Sequence, residues 1–177
     1  MVRAIDVADF FIDRMKNNDE PMTDFLVNGF LYLSQGHCLA RHGTALFDDD
    51  IIAEKQGPVV EEIRNRFRSC ETGPIWSPSK GYSLDLFTSE QITLLNDIIA
   101  EYEHLSTSDF IDIICTPDGP WGKARSEDTD RIIEKYDLHT WFGKMMLPNS
   151  ILEILLERGT AGYRDSEGYL VLPNDYK

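Results

Sequence analysis

In Thr23-Asp-Phe-Leu-Val-Asn-Gly-Phe-Leu-Tyr-Leu-Ser-Gln-Gly36 almost no polar face is left. Leu26, Val27, Phe30, Leu31, Leu33 and Ser34 occupy most of a helical circumference, and a helix that is apolar nearly all round is a buried one. Thr23 is a good N-cap, Asp24 suits the positive end of the helix dipole, and Gly43 supplies a left-handed stop. The spacing predicts a central buried helix over 23–42.

Elements on either side follow from local signals. Asp6 is expected to cap a first helix whose face is Ala8, Phe11, Ile12 and Met15. Ala45-Leu46-Phe47 and Ile51-Ile52-Ala53 are short extended segments around an Asp48-Asp49-Asp50 turn. Gly57-Pro58 is expected to begin a third helix, because proline fits the first helical position. Val59, Val60, Ile63 and Phe67 would form its core face, with Glu61 and Glu62 early and Arg64, Arg66 and Arg68 late, as the dipole favours.

The long irregular stretch 71–88 is expected to be pinned to the body by Ile75, Trp76, Leu84 and Phe87. Thr88-x-x-Gln91 is a capping box for a fourth helix with Ile92, Leu95, Ile99 and Tyr102 on one face. Ser106-x-x-Asp109 caps a fifth, which carries Phe110, Ile113 and Ile114 and is ended by Pro117-Asp-Gly-Pro120. Asp130 to Tyr136 is expected to be a further short helix. Asn149 can cap a helix that stops at Gly159, and Tyr163 to Leu172 reads as a β-hairpin.

Charge and composition narrow the function classes. The 177 residues carry 31 acidic and 17 basic side chains, a formal net charge of −14. Such a balance argues against broad phosphate binding, which needs clustered Lys and Arg. It suits solubility and tolerates a basic protein partner. No run of about 18 apolar residues is present, so no membrane span is expected. Asp6, Asp9 and Asp13 interrupt any secretion signal. Cys38, Cys70 and Cys115 are odd in number and widely spaced, as expected of reduced thiols in a cytoplasm.

Reactive constellations are sparse. His37, Cys38 and His42 lie close on the central helix, and Cys38 and His42 are one turn apart, but no fourth metal ligand is evident. A metal- or Cys-dependent hydrolase using these three residues is the enzymatic alternative. It would need a partly exposed thiolate, and Cys38 sits in the most apolar helix. The Asp48–Asp50 run is a solvated loop rather than a calcium site. No phosphate cradle or paired catalytic carboxylates stand out. A helix and hairpin at 149–172 could form a winged DNA-binding autoregulator, but its basic residues are only Arg158 and Arg164. Neither catalytic residues, a cofactor nor a metal is expected.

With these residues in view, segment 6–136 resembles the Panacea antitoxin domain, the SocA-like, phage-associated family. Four pieces carry the resemblance: the Asp-x-Ala-Asp-Phe-Phe helix; Thr23 to Gly36 with Leu31-Tyr32 and Gln35-Gly36; Leu46-Phe47 followed by Ile51 to Gly57-Pro58-Val59-Val60; and Gly119-Pro120-Trp121 with Ala124-Arg125. Asn28-Gly29 replaces the family's usual Gln-Lys, Glu54 and Gln56 stand where aromatic residues are common, and Thr116 replaces a usual His.

The resemblance implies a helical domain that acts by binding. Family members neutralise toxin proteins encoded beside them, and a SocA-type member delivers its toxin to an ATP-dependent protease. The expected fold is therefore mainly α (α+β): a bundle of six to seven helices around helix 23–42, short strands near 45–56 and a hairpin near 163–172. Residues 1–137 would be the Panacea-like domain and 138–177 an extension packed on it. Leu31, Tyr32, Gln35, Gly36, Gly57, Pro58, Val59, Pro120, Trp121 and Arg125 are the expected frame. Trp76, Tyr82, Trp141, Phe142 and Met145 are the expected partner-contacting residues.

Overall fold

Helix α2, Asp24–His42, is buried without interruption from Val27 to Leu39, and most of the other helices of the first unit pack directly against this rod. The computed structural model describes residues 2–16, 22–68, 73–78, 82–126 and 131–146, and the backbone of 163–164 and 170–171. The caps of α2 are those expected: Thr23 accepts from the Leu26 amide, and Gly43, at φ 68°, donates to the Leu39 carbonyl.

The described residues form seven α-helices: α1 (Ala4–Met15), α2, α3 (Glu61–Phe67), α4 (Ser89–Tyr102), α5 (Thr107–Ile114), α6 (Pro120–Ser126) and α7 (Lys135–Met145). Strands β1 (Ile51–Glu54) and β2 (Gly57–Val60) form one antiparallel pair. Strands β3 (Tyr163–Arg164) and β4 (Leu170–Val171) form another, within the hairpin expected near 163–172. Contacts divide the chain into two units, Met1–Gly143 and Lys144–Lys177. The expected helix beginning at Asn149 lies outside the described residues. The fold is mainly helical with small antiparallel sheets, as expected.

Aromatic side chains join the helices of the first unit. Phe11 of α1 meets Phe30 of α2 at a centroid distance of 5.0 Å, and Phe30 meets Phe110 of α5 at 5.2 Å. Two glycines on α2 make room for such rings: a methyl group on Gly29 would overlap Phe110, and one on Gly36 would overlap Phe142. Small residues there bring whole helices close, which strengthens dispersion contacts across the seam.

Several local expectations are corrected. Gly57-Pro58 does not open a helix: both residues lie in β2, and α3 begins at Glu61 with Val60 as N-cap. Proline fits because Ala53, its partner across the ladder, turns its amide away from β2 toward the Arg131 carbonyl, at 2.8 Å. The Ala53–Pro58 pair is thus one in which neither residue donates to the other, so the missing amide costs the ladder nothing. Gly57 has φ 146°, a conformation open to glycine.

Ala45-Leu46-Phe47 is a loop and not a strand, with Leu46 and Phe47 fully buried. Arg131–Ile133 is extended and not helical, and Ile132 bridges to Ile52. Asp6 is not the cap of α1. Arg3 holds that position, and its amide donates to Asp6 Oδ2 at 3.0 Å. In α4 the buried residues are Leu94, Leu95, Ile98 and Tyr102, with Ile92 and Ile99 at the margin. Ile75 and Phe87 pin the 71–88 stretch, while Trp76 and Leu84 are exposed.

Candidate partner-binding surface

The frame beneath the surface is held by buried polar side chains of α2. Gln35 donates to the Phe47 carbonyl at 2.8 Å, and its Oε1 accepts from the Leu46 and Phe47 amides at 2.9 and 3.3 Å. One side chain thereby satisfies a buried loop whose backbone would otherwise lack partners. Asn28 acts likewise: its Oδ1 accepts from the Val60 amide at 2.8 Å and its Nδ2 donates to the Asp24 carbonyl at 2.9 Å. The departure from the usual Gln-Lys is therefore structural in this chain, with Asn28 gripping β2 and Gly29 receiving Phe110.

The two sequence pieces about sixty residues apart meet in space. Pro120 begins α6, and Trp121 Nε1 donates to the Glu54 carbonyl of β1 at 3.0 Å. Arg125 reaches the Ala53 carbonyl at 3.4 Å, and its guanidinium lies 5.5 Å from the Trp121 ring centroid. Pro58 and Gly57 are buried in the facing strand. Leu31 and Tyr32 are also buried, and burial raises the Tyr32 phenol. Val59 is half-buried.

The five expected contact residues have different surroundings. Trp76 is 63% exposed, and Met145, which belongs to the second unit, is 54% exposed. Trp141 is half-buried against the core near Gly119. Phe142 is core, packed on Gly36 and 5.7 Å from the Tyr32 ring centroid. Tyr82 is half-buried, and its hydroxyl is enclosed without a hydrogen-bond partner among the described residues. Burial, with Asp13 adding to it, pushes that phenol up to about 12. The Asp13, Arg14 and Asp9 charges acting on Tyr82 place it beside α1, whereas Trp141 lies near the 116–119 turn. No described contact joins these two into one patch.

His37, Cys38 and His42 do not converge. His37 is buried with Nε2 2.9 Å from the Tyr102 hydroxyl, and burial lowers its pKa. Burial also raises the Cys38 thiol, opposite to what a nucleophilic thiolate requires. His42 is exposed at the helix end. Among the described residues, no group of three or more His, Cys, Asp or Glu could hold a metal ion.

A different surface was not foreseen. Residues 131–133 form the outer edge of the small sheet: Ala53 donates to the Arg131 carbonyl, and Ile133 donates to the Ile51 carbonyl, both at 2.8 Å. Beside this edge runs an open groove with Ile52, Val60 and Ile132 in its wall and Asp49, Asp50, Glu61 and Glu62 around them. The acids were visible in the sequence as a solvated turn and as the first turn of a helix. What joins them is the strand pairing, which periodicity does not carry.

Among family models, the one described as "Antitoxin SocA-like, Panacea domain" matches residues 28–122, just over half of the chain. That stretch runs from Asn28 on α2 to Gly122 on α6, and so takes in the β1–β2 hairpin and Trp121. The α1 motif and Ala124-Arg125 fall outside it. Comparisons with curated proteins and with solved structures return no match.

Proposed function

Because the chain belongs to the antitoxin SocA-like, Panacea domain family, we propose that it binds and neutralises a toxin protein encoded beside it. An antitoxin-type role follows from the family. The partner and the means of neutralisation are the proposal. The observation that carries it is the match over 28–122, which falls on the buried rod and hairpin frame described above. A rigid frame of this kind suits a binding domain, because little ordering has to occur when a partner docks. The role needs no chemistry from the protein: contact that covers the toxin's working surface is sufficient. We favour direct inhibition over delivery to an ATP-dependent protease.

The test is co-expression with the adjacent reading frame in a host with and without its ATP-dependent proteases. Inducing the neighbour alone should stop growth, and this protein should restore it in both hosts. Rescue only where the proteases are present would make the protein an adaptor. A harmless neighbour, or a toxic one unaffected by this protein, overturns the proposal. No helix among the described residues is long and apolar enough to cross a membrane, so a membrane span there plays no part in the proposal.

A further inference from the structure

We propose that the Phe142 turn of α7 is a pH-sensitive latch on α2, closed while the His37 imidazole is neutral and opened when that ring takes up a proton. The latch needs no partner and is independent of the antitoxin role. Three helices meet at His37, which is only 5% exposed. On α4, the Tyr102 hydroxyl lies 2.9 Å from Nε2. On α7, the Phe142 ring lies 5.1 Å away, centroid to centroid. The other ring nitrogen, Nδ1, is enclosed and has no hydrogen-bond partner among the described residues.

A neutral imidazole needs only one donor and one acceptor, and here a single contact, to Tyr102, is made. Protonation turns both nitrogens into donors. Nδ1–H would then share a buried positive charge with nothing to accept it, which is costlier than a bare lone pair. Attraction to the Phe142 face is weaker than the hydration that burial removes. The charges acting on the ring are Glu101 of α4, which favours the proton, and Arg41 of α2, which opposes it, while α7 faces it with the uncharged Phe142. Burial outweighs Glu101 and holds His37 below its ordinary 6.5. The closed latch therefore loses stability as pH falls through 6.5.

Water reaches the ring most easily by moving the helix that is least held. Helix α4 is fixed by Leu94, Leu95 and Ile98, all buried, and by the 2.8 Å pair of Asp97 with Arg41. Helix α7 buries only Leu138 and Phe142. Its ion pairs, Lys123–Asp137 and Lys135–Asp48, hold its first turn. Around Phe142, Trp141 is half-buried, and His139 and Lys144 are exposed. Phe142 itself rests on the bare backbone of Gly36, where no side chain interlocks with it. The last turn can thus lift while the first stays docked, a local opening of low cost.

The test is amide hydrogen exchange between pH 5 and 8, read as protection factors, on the wild-type chain, His37→Gln and His139→Gln. Glutamine still offers Tyr102 a polar group but takes up no proton, and His139→Gln removes the histidine of α7 itself. In the wild type, protection at Trp141, Phe142 and Gly143 should fall by up to about tenfold per pH unit below 6.5, while the amides of α2 stay protected. His139→Gln should behave as the wild type, and His37→Gln should show no such fall. The His37 imidazole resonance, followed by NMR in the wild type, should titrate along the same curve, which keeps the test decisive should His37→Gln not fold. Protection at 141–143 that is independent of pH, that is lost together with α2, that falls equally in His37→Gln, or that does not follow the His37 titration would overturn the latch.

Discussion

Gln35 shows what a single residue contributes here. Replacing it with Leu keeps the volume and removes all three hydrogen bonds to the Leu46–Phe47 loop. Buried amides and a carbonyl left without partners cost about 1–3 kcal/mol each. Gln35→Leu should therefore destabilise the protein by about 3 kcal/mol or more, read from urea unfolding midpoints. His37 makes a pH prediction with a definite sign. Its folded pKa is lowered from 6.5 by burial, so the unfolded chain binds a proton where the folded chain does not. Its contribution is full above pH 6.5, begins to fall as pH drops through 6.5, and is gone below the lowered folded value. His37→Gln should flatten that acid-side loss, by at most about 1.4 kcal/mol per pH unit. Unfolding of both proteins between pH 5 and 8 checks it, and parallel curves would refute it.

At the scale of elements, glycines decide the packing distances. Gly36→Ala gains roughly 1 kcal/mol of helix propensity, yet the new methyl meets the body of the Phe142 ring and not a flexible tip. Overpacking of that kind costs about 1–3 kcal/mol, so the net effect should be destabilising, with Phe142→Leu partly restoring stability. Gly57→Ala should lose about 1–3 kcal/mol, because φ 146° strains any side chain. Chemical denaturation reads both.

These same elements show what was legible in the sequence. Helix α2 and the caps at Thr23, Gly43, Thr88 and Ser106 are local signals, and all are observed. Pro58 was not legible: the letters Gly-Pro suit a helix start and a β pair equally. The choice is made by Asn28 and Arg131, which are distant in sequence. Ile132 and Ile133 have an apolar pattern that fits a short helix, and their pairing with β1 is a long-range event that overrides it. The groove was hidden for the same reason, since its acids come from separate segments.

For the whole molecule, a family match over 28–122 lies on a frame into which His37 and Cys38 are packed, while His42 is exposed. His37 is hydrogen-bonded to Tyr102 and Cys38 is buried, so Cys38 is not the exposed thiolate that the Cys-dependent alternative calls for. The net charge of −14 repels nucleic acid and steers basic proteins inward, with a screening length of about 8 Å at physiological salt. Binding of the partner should therefore weaken between low and physiological salt, chiefly through slower association. The most direct measurement is isothermal titration of this protein into the purified product of the adjacent reading frame, with that product's activity assayed in parallel. A saturable binding signal accompanied by loss of the partner's activity is the predicted result. An active partner that gives no signal, or that binds and keeps its full activity, would contradict the account.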